Sequence, residues 1–196
     1  ILSIHVSTKL SGTVNSAEQA KKLTSAGCPI EIIDSLGVSM SLGTIVVAAA
    51  RLAKAGKSLA EITAETKKMV PNVKLLALFD TLEYLAKGGR IGKAKSLLGS
   101  ILNIKPLLAV KEGEFHPAGQ ARSRAKGKEK LLEFVQAVKD IEDVCIVYST
   151  TPDEAKELAD NIKVFPRDRI TIARLGPALG VHGGPGVLAL VTRTKS

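Results

Sequence analysis

Aromatic side chains are scarce in this chain: they make up 3% of its 196 residues, and tryptophan is absent. That leaves few flat platforms on which bases could stack. Nucleic acid is therefore not an expected partner, although the net charge is +9 and the pI about 9.6. The basic residues are spread among helix faces, and a field of this sign steers anions generally. It suits a small anionic ligand, or a transient contact with an acidic membrane surface. Cysteine is equally sparse. Cys28 and Cys145 lie far apart and form neither a CxxC pair nor a Cys/His cluster, which argues against zinc or a disulfide framework and for a reducing, cytoplasmic compartment. The carboxylates show no metal-holding cluster, so neither metal nor cofactor is expected. No run approaches the roughly 18 uninterrupted apolar residues of a membrane helix, and no secretory signal opens the chain. The start is Ile1-Leu2-Ser3-Ile4-His5-Val6, without Met and already strand-like, so we expect an element or a domain to precede Ile1.

Hydrophobic residues make up 45% of the sequence, enough for a sizeable core. After the first strand, Ser7 to Thr13 reads as a polar turn and Val14 to Ala26 as a helix stopped by Gly27. Ile30 to Ile33 is a short strand. Met40 to Ala55 is a strongly apolar helix closed by Gly56. Ser58-Leu59-Ala60-Glu61 has the spacing of a capping box, whose helix ends before Pro71. Strand–helix–strand–helix alternation of this kind predicts a parallel sheet layered between helices. Beyond Pro71 the character changes. Val73 to Phe79 is a buried-type strand, and Asp80 caps a short helix ending at Gly88-Gly89. Another helix runs from Gly92 to about Leu102. Pro106 to Val110 and Glu114 to His116 flank Lys111-Glu112-Gly113 as a hairpin. Ser123 to Val138 is a long amphipathic helix and Val144 to Tyr148 a strand. Thr151 caps a helix with Pro152 at its first position. The strands Ile170 to Leu175 and Val187 to Thr192 then bracket a glycine-rich loop. The expected fold is α/β with two domains, residues 1–71 and 72–196: a parallel-sheet, three-layer lobe incomplete at its N-terminus, and a mixed-sheet lobe.

Two stretches carry chemistry. Leu10-Ser11-Gly12-Thr13 joins a strand to a helix, where free amides and two hydroxyls suit a carboxylate or phosphate; ordinary helix capping is the alternative. Val181-His182-Gly183-Gly184-Pro185-Gly186 sets one imidazole among glycines that let backbone approach a ligand closely, or is simply a turn. It is not accompanied by the GxSxG turn of an esterase nucleophile. Gly88-Gly89-Arg90-Ile91-Gly92-Lys93 fails as a phosphate loop, because Lys87 and Ala94 stand where Gly and Ser or Thr are required, and Arg90 is left without a role. Arg122, Arg124, Lys126, Lys128 and Lys130 crowd a helix start, where cations are disfavoured. One arginine turned inward onto a carboxylate would account for that placement, though the residues do not say which. His5 and His116 read as structural and exposed respectively. With no nucleophile, metal or acid–base pair apparent, a carrier is favoured over the alternative of an enzyme acting on a small anionic, phosphorylated substrate.

Four strings, in order and spanning essentially the whole chain, resemble the DegV family of bacterial fatty-acid-binding proteins. They are Ile4 to Thr13 (IHVSTKLSGT), Asp80 to Ile91 (DTLEYLAKGGRI), Leu98 to Pro106 (LGSILNIKP) and Gly180 to Gly186 (GVHGGPG). The resemblance implies a long-chain fatty acid held between two domains, its carboxylate at a polar end and its tail in an apolar tunnel. It implies head-group roles for Ser11, Arg122 and His182, with Gly12 and Thr13 shaping the anion pocket and Gly183 beside the imidazole. Arg124, two residues from Arg122, competes for the same role. It further implies a fatty acid kinase as partner, which phosphorylates the carboxylate while the carrier holds the chain. Family members begin with a further segment, including a Ser/Thr-rich loop that touches the carboxylate, which this chain lacks.

Overall fold

The computed structural model describes residues 1–25, 27–99 and 104–195. Strands β1 (Leu2–His5) and β2 (Glu31–Asp34) pair in parallel, with Ile4 opposite Ile33. The crossover between them is α1 (Thr13–Leu23). Two further helices follow, α2 (Met40–Lys54) and α3 (Leu59–Met69), packed on one another. The capping box forms as its spacing predicts: the Glu61 amide donates to Ser58 Oγ at 3.3 Å, and the Ser58 amide to the Glu61 carboxylate at 2.9 Å.

A short 3-10 turn, Val70–Asn72, leads into the second half. There β3 (Val73–Leu78), α4 (Glu83–Lys87), β4 (Lys105–Lys111), β5 (Glu114–Ala121), α5 (Arg124–Gln136), β6 (Ile141–Tyr148), α6 (Pro152–Asn161), β7 (Thr171–Arg174), α7 (Pro177–Gly183) and β8 (Leu188–Thr194) follow in turn. The six strands form one mixed sheet, ordered β5-β4-β3-β8-β6-β7, in which only β6 and β7 run parallel. The protein is thus α/β, with one large mixed sheet and one small parallel sheet.

Both faces of the large sheet are covered, so its middle strands read as continuous apolar runs rather than alternating ones. Leu76 and Leu78 of β3, Ile146 of β6, and Leu188 and Leu190 of β8 turn to one face, against Leu131 and Val135 of α5 and Leu158 of α6. The neighbouring residues Leu75, Ala77, Cys145, Val147, Ala189 and Val191 turn to the other face. There they join Leu10, Val38, Leu82 and Leu85 from the segments that precede and follow β3. Period-two alternation thus assigns successive residues of each strand to two separate cores.

Several local expectations are corrected. The helix expected over Gly92 to Leu102 is a 3-10 segment, Gly92–Leu97, and residues 100–103 lie outside those described. Gly92 sits at φ +55° with the Phe115 backbone where a Cβ would stand, so the segment hugs β5 instead of propagating an α-helix. The first helix ends at Leu23, and Ala26 lies outside the described residues. Asp80 does not cap α4. The Glu83 amide donates to Thr81 Oγ1 at 3.1 Å, while Asp80 pairs with Lys105 at 2.7 Å. Thr151 gives α6 no side-chain cap; its hydroxyl faces the Arg124 guanidinium at 3.4 Å. The hairpin does form, its two turn residues Glu112 and Gly113 both at positive φ, which matches the right-handed strand twist. Its second strand runs on to Ala121, past the expected His116.

Candidate ligand site

The Ser11 turn follows β1 directly. Its Leu10 and Ser11 amides donate back to Ser7 O at 2.9 and 3.0 Å, and Ser11 Oγ accepts the Thr13 amide at 3.3 Å. Gly12, at φ −79°, is the first cap position of α1 and offers no side chain. The turn therefore owes part of its serine and threonine content to local capping, as the plainer alternative held. Ser11 and Thr13 nevertheless also line an internal cavity.

That cavity is about 330 Å³ and lies on the face of the large sheet that carries Leu75, Ala77, Val147 and Ala189. Leu75, Ala77, Phe79, Val147 and Ala189 form its floor, and Val6, Leu10, Val38, Leu85 and Phe115 are among its apolar walls. Phe79 and Phe115 meet edge to face, with ring centroids 6.1 Å apart. Among the described residues, the polar groups that line it are Ser11, Thr13, Ser39, Arg90 and His182, with no aspartate or glutamate.

Three of these polar residues are brought together by one short chain of contacts. Arg90 Nε donates to Leu10 O, beside Ser11, at 3.2 Å, and Arg90 Nη1 donates to Gly88 O at 2.7 Å. Gly88 in turn lies against Nδ1 of His182, so closely that a side chain there has no room. This accounts for the glycine. His182 Nδ1 is buried without a hydrogen-bond partner among the described residues. A buried ring nitrogen with no acceptor is better left unprotonated, which places the proton of the neutral imidazole on Nε2. Nε2–H is then the ring's donor.

His182 is not in a loop between strands, as its glycine neighbours suggest. It lies in the last turn of α7, which Pro177 opens and Gly183 ends. Pro fixes φ where no amide is needed, so the helix starts readily in spite of its glycines. Gly183 lines the cavity beside it. The return to β8 is held by Asp80 and Arg124: Gly186, at φ +73°, packs against the Asp80 carboxylate, leaving no space for a Cβ.

Arg90, which the sequence left without a role, is the basic residue that lines this cavity among the described residues. Arg122, the first residue after β5, is exposed and is not among the residues that line the cavity. Arg124 does turn inward, but onto protein. It pairs with Glu154 at 2.6 Å, approaches Asp80 at 3.5 Å and donates to Gly186 O. This explains one cation at the start of α5. Lys126 with Glu129 and Lys128 with Glu157, each at 2.6 Å, explain two more. Arg124 beside Glu154 holds that carboxyl below the usual glutamate range.

Ser39 was also missed. It stands at φ +57° just ahead of α2, and the hydroxyl that binds the Val38 amide and carbonyl belongs to Ser41. Ser39 is therefore left to face the cavity. With serines at both 39 and 41 before the apolar run, the sequence carries no signal to choose the capping one.

The fold is a mixed sheet covered by helices, and its apolar cavity is lined in part by hydroxyls, an imidazole and a guanidinium. The DegV family model, described as "Uncharacterised protein, DegV family", matches residues 1–195. The chain belongs to this family. A DegV domain-containing protein of Streptomyces coelicolor is 34% identical over 203 residues, covering 100% of this chain and 70% of the relative. Among solved structures, a fatty-acid-binding DegV family protein from Thermus thermophilus superposes with a TM-score of 0.90 at 32% identity. It covers 99% of this chain and 70% of that one. A DegV family protein from Corynebacterium glutamicum gives 0.87 at 26% identity, over 100% and 75% of the two chains.

Proposed function

We propose that this chain is a carrier of a long-chain fatty acid, held between the lobes formed by residues 1–71 and 72–196. The tail occupies the apolar cavity over Ala77 and Ala189. The carboxylate takes the Ser11 hydroxyl and His182 Nε2–H, with Thr13 and Gly183 framing it and Arg90 supplying positive charge. The observation that carries this reading is a cavity whose floor is apolar and whose polar lining holds donors and a cation but no carboxylate. It is the cavity of a chain 32% identical to a relative that binds fatty acid. The energetics suit it. About 14 methylenes at ~0.8 kcal/mol each supply roughly 11 kcal/mol before ordering costs. The head group then sets orientation more than affinity.

On this reading the carboxylate is presented to a fatty acid kinase, which brings the phosphoryl donor. Thr13, Ala178 and Arg90 at the polar side are exposed to solvent, so a partner can reach the head group without opening the sheet. Arg122 has no part in ligand retention. Denaturing extraction of the bacterially expressed chain, followed by mass spectrometry, tests the proposal. It predicts close to one equivalent of long-chain fatty acid, reduced in Ser11→Ala and Arg90→Ala and unchanged in Arg122→Ala. A lipid-free protein with no affinity for added fatty acid overturns it.

A further inference from the structure

Helix α7 has a second side. Ala178, Leu179, His182 and Gly183 line the apolar cavity, whereas Pro177 and Gly180 face a separate, more open cleft of about 530 Å³. This cleft lies beyond the carboxyl ends of β6 and β7, the one parallel pair in the large sheet. That is the position at which open α/β sheets characteristically take ligands.

Its wall is rich in donors and lacks acids. Ser149 and Thr150, which follow β6, accept the Val187 and Gly186 amides at 2.9 and 3.0 Å through their hydroxyl oxygens. Neither hydroxyl proton has an acceptor among the described residues. Arg174, the last residue of β7, is exposed, and its guanidinium makes no ion pair or hydrogen bond among the described residues. Among the described residues, no aspartate or glutamate lines the cleft. The Tyr84 ring packs against Gly184, leaving no room for a side chain there, and its hydroxyl has no partner among the described residues. Leu175, Pro177 and Pro185 supply apolar wall.

We propose that this cleft binds a small phosphomonoester. A phosphoryl group offers three strong acceptor oxygens and about two negative charges, which the Arg174 guanidinium and the Ser149, Thr150 and Tyr84 hydroxyls can share. At this volume the cleft falls in the range of small-molecule sites and exceeds what a bare phosphate fills. The apolar wall takes the organic body. This site is independent of the fatty acid cavity, with which it shares α7 and Leu175.

The test is an amide NMR titration of the lipid-free chain with phenyl phosphate, with inorganic phosphate and with phenol. Phenyl phosphate is expected to shift the Ser149, Thr150, Gly176 and Gly184 amides, to bind more tightly than inorganic phosphate, and to outcompete phenol. Arg174→Ala, a change at an exposed position, is expected to weaken phenyl phosphate by about tenfold or more, as loss of a charge-assisted contact does. The proposal is overturned if Arg174→Ala leaves the affinity unchanged. It is also overturned if the shifts scatter over surface lysines or centre on Ser11 and His182, or if inorganic phosphate binds as tightly as the ester. Because lipid-free protein is used, failure here is separate from failure of the fatty acid reading.

Discussion

Ala77 of β3 and Ala189 of β8 are direct cross-strand partners, both almost fully buried and both in the cavity floor. Their neighbours one step along the same face are Leu75 and Val191. Two methyl-sized side chains side by side in a leucine- and valine-rich sheet leave the space that the account assigns to an acyl chain. Replacing either alanine by leucine adds three carbons to that space and displaces about three methylenes of ligand. At ~0.8 kcal/mol per methylene the loss is about 2.4 kcal/mol, or roughly 50-fold in affinity for a long-chain acid. Calorimetric titration of delipidated protein with palmitate measures it, and laurate, which needs less of the tunnel, should lose less. If the space is ligand space, the empty variant melts close to wild type. If it is ordinary core, overpacking lowers stability by about 1–3 kcal/mol and binding is untouched. That second pattern refutes the reasoning.

Three further outcomes follow from the packing and charges. Gly127 in α5 sits 2.5 Å, at its would-be Cβ, from Leu78 Cδ1. Gly127→Ala should therefore destabilise by about 1–3 kcal/mol in urea unfolding, against the gain of about 1 kcal/mol usual for this change inside a helix. Burial pushes the Cys145 thiol up to about 11, whereas Cys28 is exposed. At pH 8 an aromatic disulfide reagent should titrate Cys28 in the folded protein and reach Cys145 only on unfolding. The Arg124 hydrogen bond and charge lower the Glu154 pKa, so the ion pair stabilises the fold above the ordinary glutamate value of about 4.3 and loses that contribution as pH falls through the depressed one. Wild type should exceed Glu154→Gln by about 1–2 kcal/mol at neutral pH, the two converging in acid.

The elements with strong local signals were legible in the sequence: the Ser58–Glu61 box, the Glu112-Gly113 turn, and the apolar strands around Leu76 and Leu190. Ser11, Thr13, His182 and Gly183, carried over from the resemblance, all line one cavity. What the sequence did not yield depends on contacts across long separations. Asp80 resembles a helix cap until Lys105 and Arg124, far along the chain, claim it. Arg90, flanked by glycines, shows its role only when Leu10 O and Gly88 O converge on it. The choice among the arginines around the start of α5 rests on the partners that Arg124 finds in Glu154, Asp80 and Gly186, none of them near it in sequence. Gly180, Gly183 and Gly184 argue locally against the helix that α7 forms, where packing against α4 outweighs propensity.

A crystal structure of the chain with palmitate tests the central claim most directly. The account predicts the carboxylate within about 3 Å of Ser11 Oγ and His182 Nε2, with the tail passing over Ala77 and Ala189. A palmitate whose carboxylate sits elsewhere, or whose tail lies on the protein surface while the cavity stays closed, contradicts it.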